Sequence, residues 1–212
     1  MRVGFIGLGS QGGPMARRIV EGGYETTLWA RREASLEPYA DTTAKTAGSP
    51  AELAAASDLV CLCVVGDDDV KEVLNGQTGV LAGLASGGIV AIHSTVHPDT
   101  VARVAELAPE GVSVLDAPIS GGVPGAREAR LAIMVGGDHA AFARARPAFD
   151  AMGSLVVHLG PAGSGLAAKL ARNLMGYVSY LAAQEGRQLA EVAGVDLDAL
   201  RTILDHTGRS AR

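Results

Sequence analysis

The sequence predicts an α/β fold: a mostly parallel sheet with helices on both faces, followed by a long helix that begins an incomplete all-α region. Short apolar runs alternate with helical patterns from the start of the chain, and this alternation is the signature of βαβ units. The alternation ends after Gly160, and residues 165–193 then keep a helical spacing without proline. We therefore expect two domains, residues 1–162 and residues 163–212.

The strands of the expected sheet are mostly continuous apolar runs, as strands covered on both faces require. They are residues 3–6, 26–29, 59–65, 89–93, 112–117, 131–135 and 155–159. The helix that ends near Ala56 has a recognisable start, because Ser49 is an N-cap residue, Pro50 takes the first helical position and Glu52 the third. Other helices are expected at residues 14–20, 98–108 and 138–152.

The long helix contains two glycines, Gly176 and Gly186, each of which costs about 1 kcal/mol relative to alanine. Their presence indicates a close approach by another helix. The helix that follows has an apolar face formed by Leu197, Leu200 and Leu204. Since soluble monomers rarely expose such a patch, we expect a homodimer in which these helices are covered.

Charge and composition argue against several classes of protein. A formal charge of −5 with scattered basic residues disfavours nucleic acid as a partner. The longest apolar run, residues 59–65, is too short to span a membrane. Met1 and Arg2 lead directly into the first strand without a signal-peptide pattern, so a cytoplasmic location is expected. Cys61 and Cys63 face the same side of one strand, which predicts buried free thiols and no metal site.

The turn between the first strand and the first helix reads Gly7-Leu8-Gly9-Ser10-Gln11-Gly12. Gly7 permits the tight turn, Gly9 lets the backbone approach a phosphate, and Gly12 lets the helix pack on the strand. Backbone N–H groups and the positive end of the helix dipole stabilise a pyrophosphate at such a place. Between a strand and a helix of a βαβ unit, this motif predicts a Rossmann-type domain that binds NAD or NADP.

The end of the second strand bears on the choice between these cofactors. NAD-binding domains carry an acidic residue there, whereas this chain has Trp29-Ala30-Arg31-Arg32. Two guanidinium groups can bind the 2′-phosphate of NADP, which we therefore expect in preference to NAD. A solvated loop is the alternative, with more weight for Arg32 than for Arg31. Val64 and Val65, at the end of the third strand, are assigned to the same cofactor site.

Two later segments are candidates for substrate binding and catalysis. Ser120, Gly121 and Gly122 combine a hydroxyl with two unhindered N–H groups, which suits a carboxylate, although a plain loop is equally consistent. Gly165, Lys169 and Asn173 follow one another at intervals of four residues and so share a helix face. A lysine on an apolar helix face is usually a surface residue, so the spacing alone leaves its role open.

Taken together, these motifs resemble those of the β-hydroxyacid dehydrogenases, relatives of 3-hydroxyisobutyrate dehydrogenase and tartronate semialdehyde reductase. The resemblance extends along the whole chain. It includes the glycine turn with Met15-Ala16, the loop Ser94-Thr95, the segments 116–122 and 131–137, and the helix start from Gly165 to Asn173. Gln11 replaces the usual methionine of the glycine turn, and Ala129 and Arg130 replace the usual glycine and small polar residue.

The resemblance implies an NAD(P)-dependent enzyme that interconverts a small 3-hydroxy acid and its semialdehyde or ketone. It places Thr95 beside the nicotinamide, Ser120 to Gly122 on the substrate carboxylate, Lys169 in proton transfer and Asn173 in orientation. Family members usually continue into a full helical domain, so a chain ending at Arg212 is expected to be truncated or to need a partner subunit. The alternatives are an idle NADP-binding module and an imine reductase, although imine reductases usually lack a lysine at the position of Lys169.

Overall fold

The computed structural model describes residues 1–207 of the chain. Contacts between Cα atoms divide it into two compact units, Met1–Lys169 and a second one that begins at Leu170. The last five residues of the predicted domain 163–212 lie outside the described residues. Over residues 1–207, no helix combines the length and the apolar character that crossing a membrane requires.

The first unit alternates strands and helices along the chain. Its elements are β1 (Arg2–Ile6), α1 (Gly12–Glu21), β2 (Glu25–Trp29), β3 (Lys45–Thr46), α2 (Pro50–Ala55), β4 (Leu59–Leu62), α3 (Asp67–Leu74), α4 (Val80–Gly83), β5 (Ile89–Ile92), α5 (Pro98–Leu107), β6 (Ser113–Asp116), β7 (Ile119–Ser120), α6 (Gly122–Arg127), β8 (Leu131–Gly136), α7 (His139–Asp150) and β9 (Gly153–Gly160). The long helix α8 (Ser164–Val192) starts within this unit, and the second unit consists of its later part and α9 (Leu197–Thr207).

The strands form one sheet in the order β3-β2-β1-β4-β5-β6-β8-β7, with β9 paired to β8. Every pair from β3 to β6 is parallel, and β9 is parallel to β8. The strand β8 runs antiparallel to both β6 and β7. The predicted α/β fold with a mostly parallel sheet is therefore confirmed.

Alternate residues of each strand pack on opposite faces of the sheet. In β1, Phe5 belongs to a core cluster that includes Met15 of α1 and Phe149 of α7. Its neighbour Ile6 belongs to a second cluster, together with Leu53 of α2. Because successive side chains of a strand point to opposite sides, these two clusters are the two faces of the sheet, each covered by helices. The apolar strands of the sequence are explained by this double burial.

Three elements differ from the prediction. The strands β3 and β7 have two residues each, which is too short for a periodic pattern to reveal them. The expected Ser-Gly-Gly loop is the end of β7 followed by the short helix α6, which begins at Gly122. The strand predicted at residues 59–65 is β4, and it ends at Leu62. The chain then turns toward α3 and leaves the Val65 side chain 93% exposed.

The helix ends agree closely with the sequence signals. Ser49 accepts a hydrogen bond from the Glu52 N–H through Oγ at 3.1 Å, as expected of an N-cap. The Glu52 carboxylate reaches back and accepts the N–H of Gly48 at 2.7 Å. Asp138 likewise caps α7 by accepting the Ala141 N–H at 2.8 Å.

The second unit leaves its apolar side chains largely exposed. The helix α9 has no buried residue, and Leu204 is 61% exposed. A Cβ added at Gly186 would meet no atom within 4 Å, and one at Gly176 would meet the Arg172 guanidinium at 3.8 Å. Within residues 1–207, the expected close approach of another helix to these glycines is therefore not formed. A homodimer that covers them stays a prediction.

Candidate functional site

The glycine turn has the geometry that its sequence requires. Gly7 has a φ of +96°, and a Cβ added there would lie 2.1 Å from the carbonyl oxygen of Cys63. Gly12 opens α1, and its added Cβ would lie 1.9 Å from the Gly7 carbonyl oxygen and 3.1 Å from the Cys63 Cβ. Gly9 is different, because its added Cβ would meet no atom within 4 Å. Gly7 and Gly12 are thus needed for packing, whereas Gly9 borders open space.

A cleft of about 410 Å³ opens beside this turn. Its walls come from the turn itself, the end of β2 and the loop after β4, which meet at the carboxyl edge of the parallel strands. Seven of the predicted cofactor residues line it: Gly7, Leu8, Gly9, Arg31, Arg32, Val64 and Val65. In open α/β sheets this edge is where ligands bind.

The remaining predicted cofactor residues lie close to that edge. Ser10 and Gln11 are exposed on the turn, and Ser10 lines an adjoining cavity with Gly9. Thr95 is exposed directly after Ser94. The Ser94 hydroxyl donates to the Val64 carbonyl at 2.8 Å and accepts the Val64 N–H at 2.9 Å. These two hydrogen bonds join the loop after β5, which carries Thr95, to the loop after β4.

Two acidic residues that the sequence did not indicate, Asp69 and Glu72, pair with Arg31 at the rim of the cleft. The Arg31 Nη2 atom lies 2.9 Å from Asp69 Oδ1 and 3.0 Å from Glu72 Oε2, both on α3. The hydrogen bond with Asp69 and the negative charge of Glu72 raise the pKa of Arg31 further. Arg32 also lines the cleft, and among residues 1–207 it forms no ion pair. These acids lie 38 and 41 positions from Arg31, so no local pattern in the sequence indicated the contact.

These features fit a dinucleotide. An unobstructed Gly9 at the start of a helix leaves room for a pyrophosphate, and guanidinium groups on the opposite rim suit a further phosphate. Among the described residues, no group of three or more His, Cys, Asp or Glu side chains could hold a metal ion. Cys61 and Cys63 are free, and burial raises the pKa of the Cys63 thiol to about 11.

His93 follows β5 and is fully buried in the core below this edge. Its Nδ1 lies 2.8 Å from the Ala117 carbonyl oxygen, whereas Nε2 has no hydrogen-bond partner. The ring stacks on Phe5 and meets Phe149 edge to face. Burial lowers the pKa of His93 to about 4, so the ring is neutral at physiological pH and bridges two strands through the Nδ1–H tautomer.

The start of α8 is held by Asp116 at the end of β6. This carboxylate is fully buried, and it accepts the Gly163 N–H through Oδ1 and the Leu166 N–H through Oδ2, each at 2.8 Å. Two glycines permit the approach. A Cβ added at Gly136 would lie 2.5 Å from Asp116 Oδ1, and one added at Gly165 would lie 2.3 Å from the Met134 carbonyl oxygen. Sequence reasoning had assigned Asp116 to a substrate motif and had missed this contact.

This junction determines where Lys169 lies. Lys169 is half-buried and follows Gly165 by about one helical turn, and Gly165 packs on Met134 of β8. On the same strand, two positions before Met134, Ala132 pairs with Ser120 of β7. Lys169 and Ser120 are therefore carried by elements that pack on neighbouring positions of one strand. Asn173 belongs to the second unit, and its part in the site stays a prediction.

The loop after Ser120 depends on glycine. Gly121 and Gly122 have φ values of +131° and +62°, conformations that side chains rarely adopt. Gly121 is exposed, whereas Ser120 and Gly122 are half-buried. The segment predicted to bind a carboxylate is therefore the junction of β7 and α6, where only Gly121 is exposed.

Comparison with known proteins gives consistent matches. Residues 2–160 match the family described as the NAD binding domain of 6-phosphogluconate dehydrogenase. An uncharacterized oxidoreductase of Mycobacterium tuberculosis is 40% identical, and the match covers 97% of this chain and 70% of that protein. The mitochondrial 3-hydroxyisobutyrate dehydrogenase of Mus musculus is 34% identical over 96% of this chain, which spans 61% of the mouse protein.

Solved structures share the fold over nearly the whole chain. A 3-hydroxyisobutyrate dehydrogenase of Mycobacterium tuberculosis with L-serine has a TM-score of 0.91 and 32% identity, covering 100% of this chain and 72% of its own. An imine reductase variant from Myxococcus stipitatus with NAD+ has a TM-score of 0.88 at 21% identity, covering 97% of this chain and 71% of its own. At that identity the second similarity shows the fold alone.

Proposed function

The chain belongs to the β-hydroxyacid dehydrogenase family, and from this premise we propose that it interconverts a small 3-hydroxy acid and the corresponding semialdehyde or ketone. Membership makes it an oxidoreductase with a domain for NAD or NADP. The observation that carries the finer proposal is the junction at Asp116. It brings the helix start that carries Lys169 against the strand that pairs with Ser120.

The cofactor lies along the cleft in this proposal, with NADP preferred over NAD. The turn from Gly7 to Gly12 binds the pyrophosphate, and Arg31 and Arg32 face the 2′-phosphate. Val64 and Val65 line the same cleft, and Thr95 lies toward the nicotinamide. When bound, the nicotinamide exchanges a hydride with the substrate carbon, so the protein has to supply placement and proton transfer.

The substrate carboxylate binds at the loop after β7. The Ser120 hydroxyl and the N–H groups of Gly121 and Gly122 donate to it, and the absence of side chains on the two glycines permits a close approach. The L-serine named with the Mycobacterium tuberculosis dehydrogenase carries a carboxylate and a hydroxyl on its third carbon. A ligand of that chemistry supports the same substrate class here.

Lys169 transfers the proton in this proposal. In oxidation its neutral Nζ takes the proton of the substrate hydroxyl, and in reduction its ammonium group returns a proton to the carbonyl oxygen. The positive charge also stabilises the developing negative charge on that oxygen. Proton transfer of this kind contributes about 10²–10⁴-fold to the rate. Asn173, about one turn further along α8, orients the same oxygen.

Steady-state turnover tests the proposal. Small 3-hydroxy acids are offered with NADP and with NAD, and the semialdehydes and cyclic imines with the reduced forms. We expect turnover with at least one acid and its carbonyl product, and loss of substrate affinity in Ser120→Ala. Turnover of imines alone would assign the chain to imine reduction, and nucleotide binding without any turnover would assign it to an idle module. Either result overturns the proposal. The homodimer and the cytoplasmic location stay predictions.

A further inference from the structure

A cluster of ion pairs lies at the rim of the cofactor cleft, and the proposed function leaves it unexplained. It joins Arg31, in the loop after β2, to Asp69 and Glu72, which follow one another by one turn on α3. Both carboxylates accept a hydrogen bond from the same guanidinium nitrogen, Nη2. Arg31 and Asp69 both line the cleft. The Arg31 side chain is 58% exposed and that of Asp69 is 29% exposed, so the contact lies at the rim where a nucleotide would pass.

This arrangement affects the two nucleotides differently. A 2′-phosphate that binds Arg31 has to compete with two carboxylates for one guanidinium face, and it carries the same sign of charge as they do. The 2′-hydroxyl of NAD has no charge and gains little from the guanidinium. Arg32 remains available for either nucleotide, because it forms no ion pair among residues 1–207. The acids on α3 therefore oppose NADP selectively.

We infer that Asp69 and Glu72 are specificity-determining residues, which compete with a 2′-phosphate for Arg31 and so reduce the preference of the cleft for NADP over NAD. The inference rests on the proposed binding of both nucleotides in this cleft. It also revises the reasoning from the sequence, since Arg31 is a shared group and Arg32 is the more available phosphate ligand. The loop after β2 alone does not set the choice of cofactor.

The test removes the two charges and keeps the shapes of the side chains. NADPH and NADH are titrated at one salt concentration into the parent chain and into the double variant Asp69→Asn, Glu72→Gln. We expect the ratio of dissociation constants to shift about five- to tenfold toward NADPH, the range that two exposed ion pairs can supply. The matched control is Asp68→Asn. Asp68 is a fully exposed residue of the same helix turn, paired with Lys71, and its variant should keep the parental ratio.

A second pair of variants tests whether the acids act through Arg31. In an Arg31→Ala background, the same double substitution should lose most of its effect on the ratio of the two dissociation constants. An undiminished shift in that background would mean that the acids repel the phosphate directly, which overturns the inference. An unchanged ratio in the double variant itself overturns it too, and leaves the proposed function standing. A parent chain that binds neither nucleotide would overturn both.

Discussion

Asp116 and Leu166 are 50 positions apart, and the buried Oδ2 of Asp116 accepts the Leu166 N–H at 2.8 Å. Together with the bond from Gly163, this contact fixes the first turn of α8 to the end of β6. A carboxylate at a helix N-terminus is favoured by the helix dipole, and its burial strengthens that interaction. Asp116, a residue of the sheet, thus fixes the position of the helix start that carries Lys169.

The substitution Asp116→Asn tests this anchor. The amide keeps one acceptor oxygen and turns an N–H₂ group toward the second backbone N–H, which leaves a buried donor unsatisfied. We expect the free energy of unfolding to fall by about 2–4 kcal/mol, measured by urea denaturation. Asp138→Asn is the matched control, because asparagine is an equally good N-cap at the exposed start of α7. A loss in the control as large as that in Asp116→Asn would contradict the proposed anchor.

The glycines of the turn should separate stability from binding. Gly7→Ala forces a side chain to a φ of +96° and toward the Cys63 carbonyl oxygen, so it should destabilise the fold. Gly9→Val meets no neighbouring atom in the chain, so it should fold normally and yet fill the space for the pyrophosphate. Thermal unfolding and nucleotide titration by Trp29 fluorescence distinguish the two effects. A folded Gly9→Val protein with parental affinity would place the phosphate elsewhere.

The extent of agreement between sequence and structure follows the range of each interaction. The glycine turn before α1 and the cap at Ser49 were predictable, because each depends on residues within a few positions of one another. The contacts of Arg31 with Asp69 and of Asp116 with Leu166 join residues 38 and 50 positions apart. Interactions of that range leave no local pattern. Gly136 and Gly165, which make room for Asp116, were visible as motif residues, but the group that they accommodate was not.

His93 should make the stability of the protein depend on pH. Burial lowers its pKa from 6.5 to about 4. Between these two pH values His93 is protonated in the unfolded chain and neutral in the folded chain. Stability is therefore lost as the pH falls from 6.5 toward 4, by up to about 3 kcal/mol. Above pH 6.5 both states are neutral at this residue, and it causes no further change.

Urea denaturation at several pH values measures this effect. His93→Gln removes the titrating ring and retains a donor for the Ala117 carbonyl, so its stability should vary less between pH 6.5 and 4. Equal slopes for the parent and His93→Gln would show that other groups cause the loss.

The apolar face of α9 predicts self-association, since Leu204 is 61% exposed and Leu197 and Leu200 are half-buried. Leu200 lines an apolar groove between α9 and the later part of α8, and a charge placed there would be costly to cover. Light scattering at micromolar concentration should show a dimer for the parent and a monomer for Leu200→Glu. Thr202→Glu adds the same charge elsewhere on the exposed helix and should remain dimeric. A parent that is monomeric would refute the predicted dimer.

The last prediction concerns Lys169, whose substitution should abolish turnover and spare the nucleotide. It lies beyond the junction at Gly165 and does not line the cleft beside the glycine turn, so Lys169→Ala should bind NADPH with an affinity within about twofold of the parent. Loss of a proton-transfer group costs about 10²–10⁴-fold, and a lysine that also stabilises charge on the substrate oxygen belongs at the upper end. Because this contact strengthens in the transition state, kcat and kcat/KM should fall together. Lys169→Arg should not restore activity, since a guanidinium keeps its proton at any working pH. Lys45→Ala, at the exposed edge strand β3, provides the matched control. If Lys169→Ala turned over as well as Lys45→Ala, the proton would be transferred by another group, and the proposed chemistry would fail while the fold and the cofactor cleft remained.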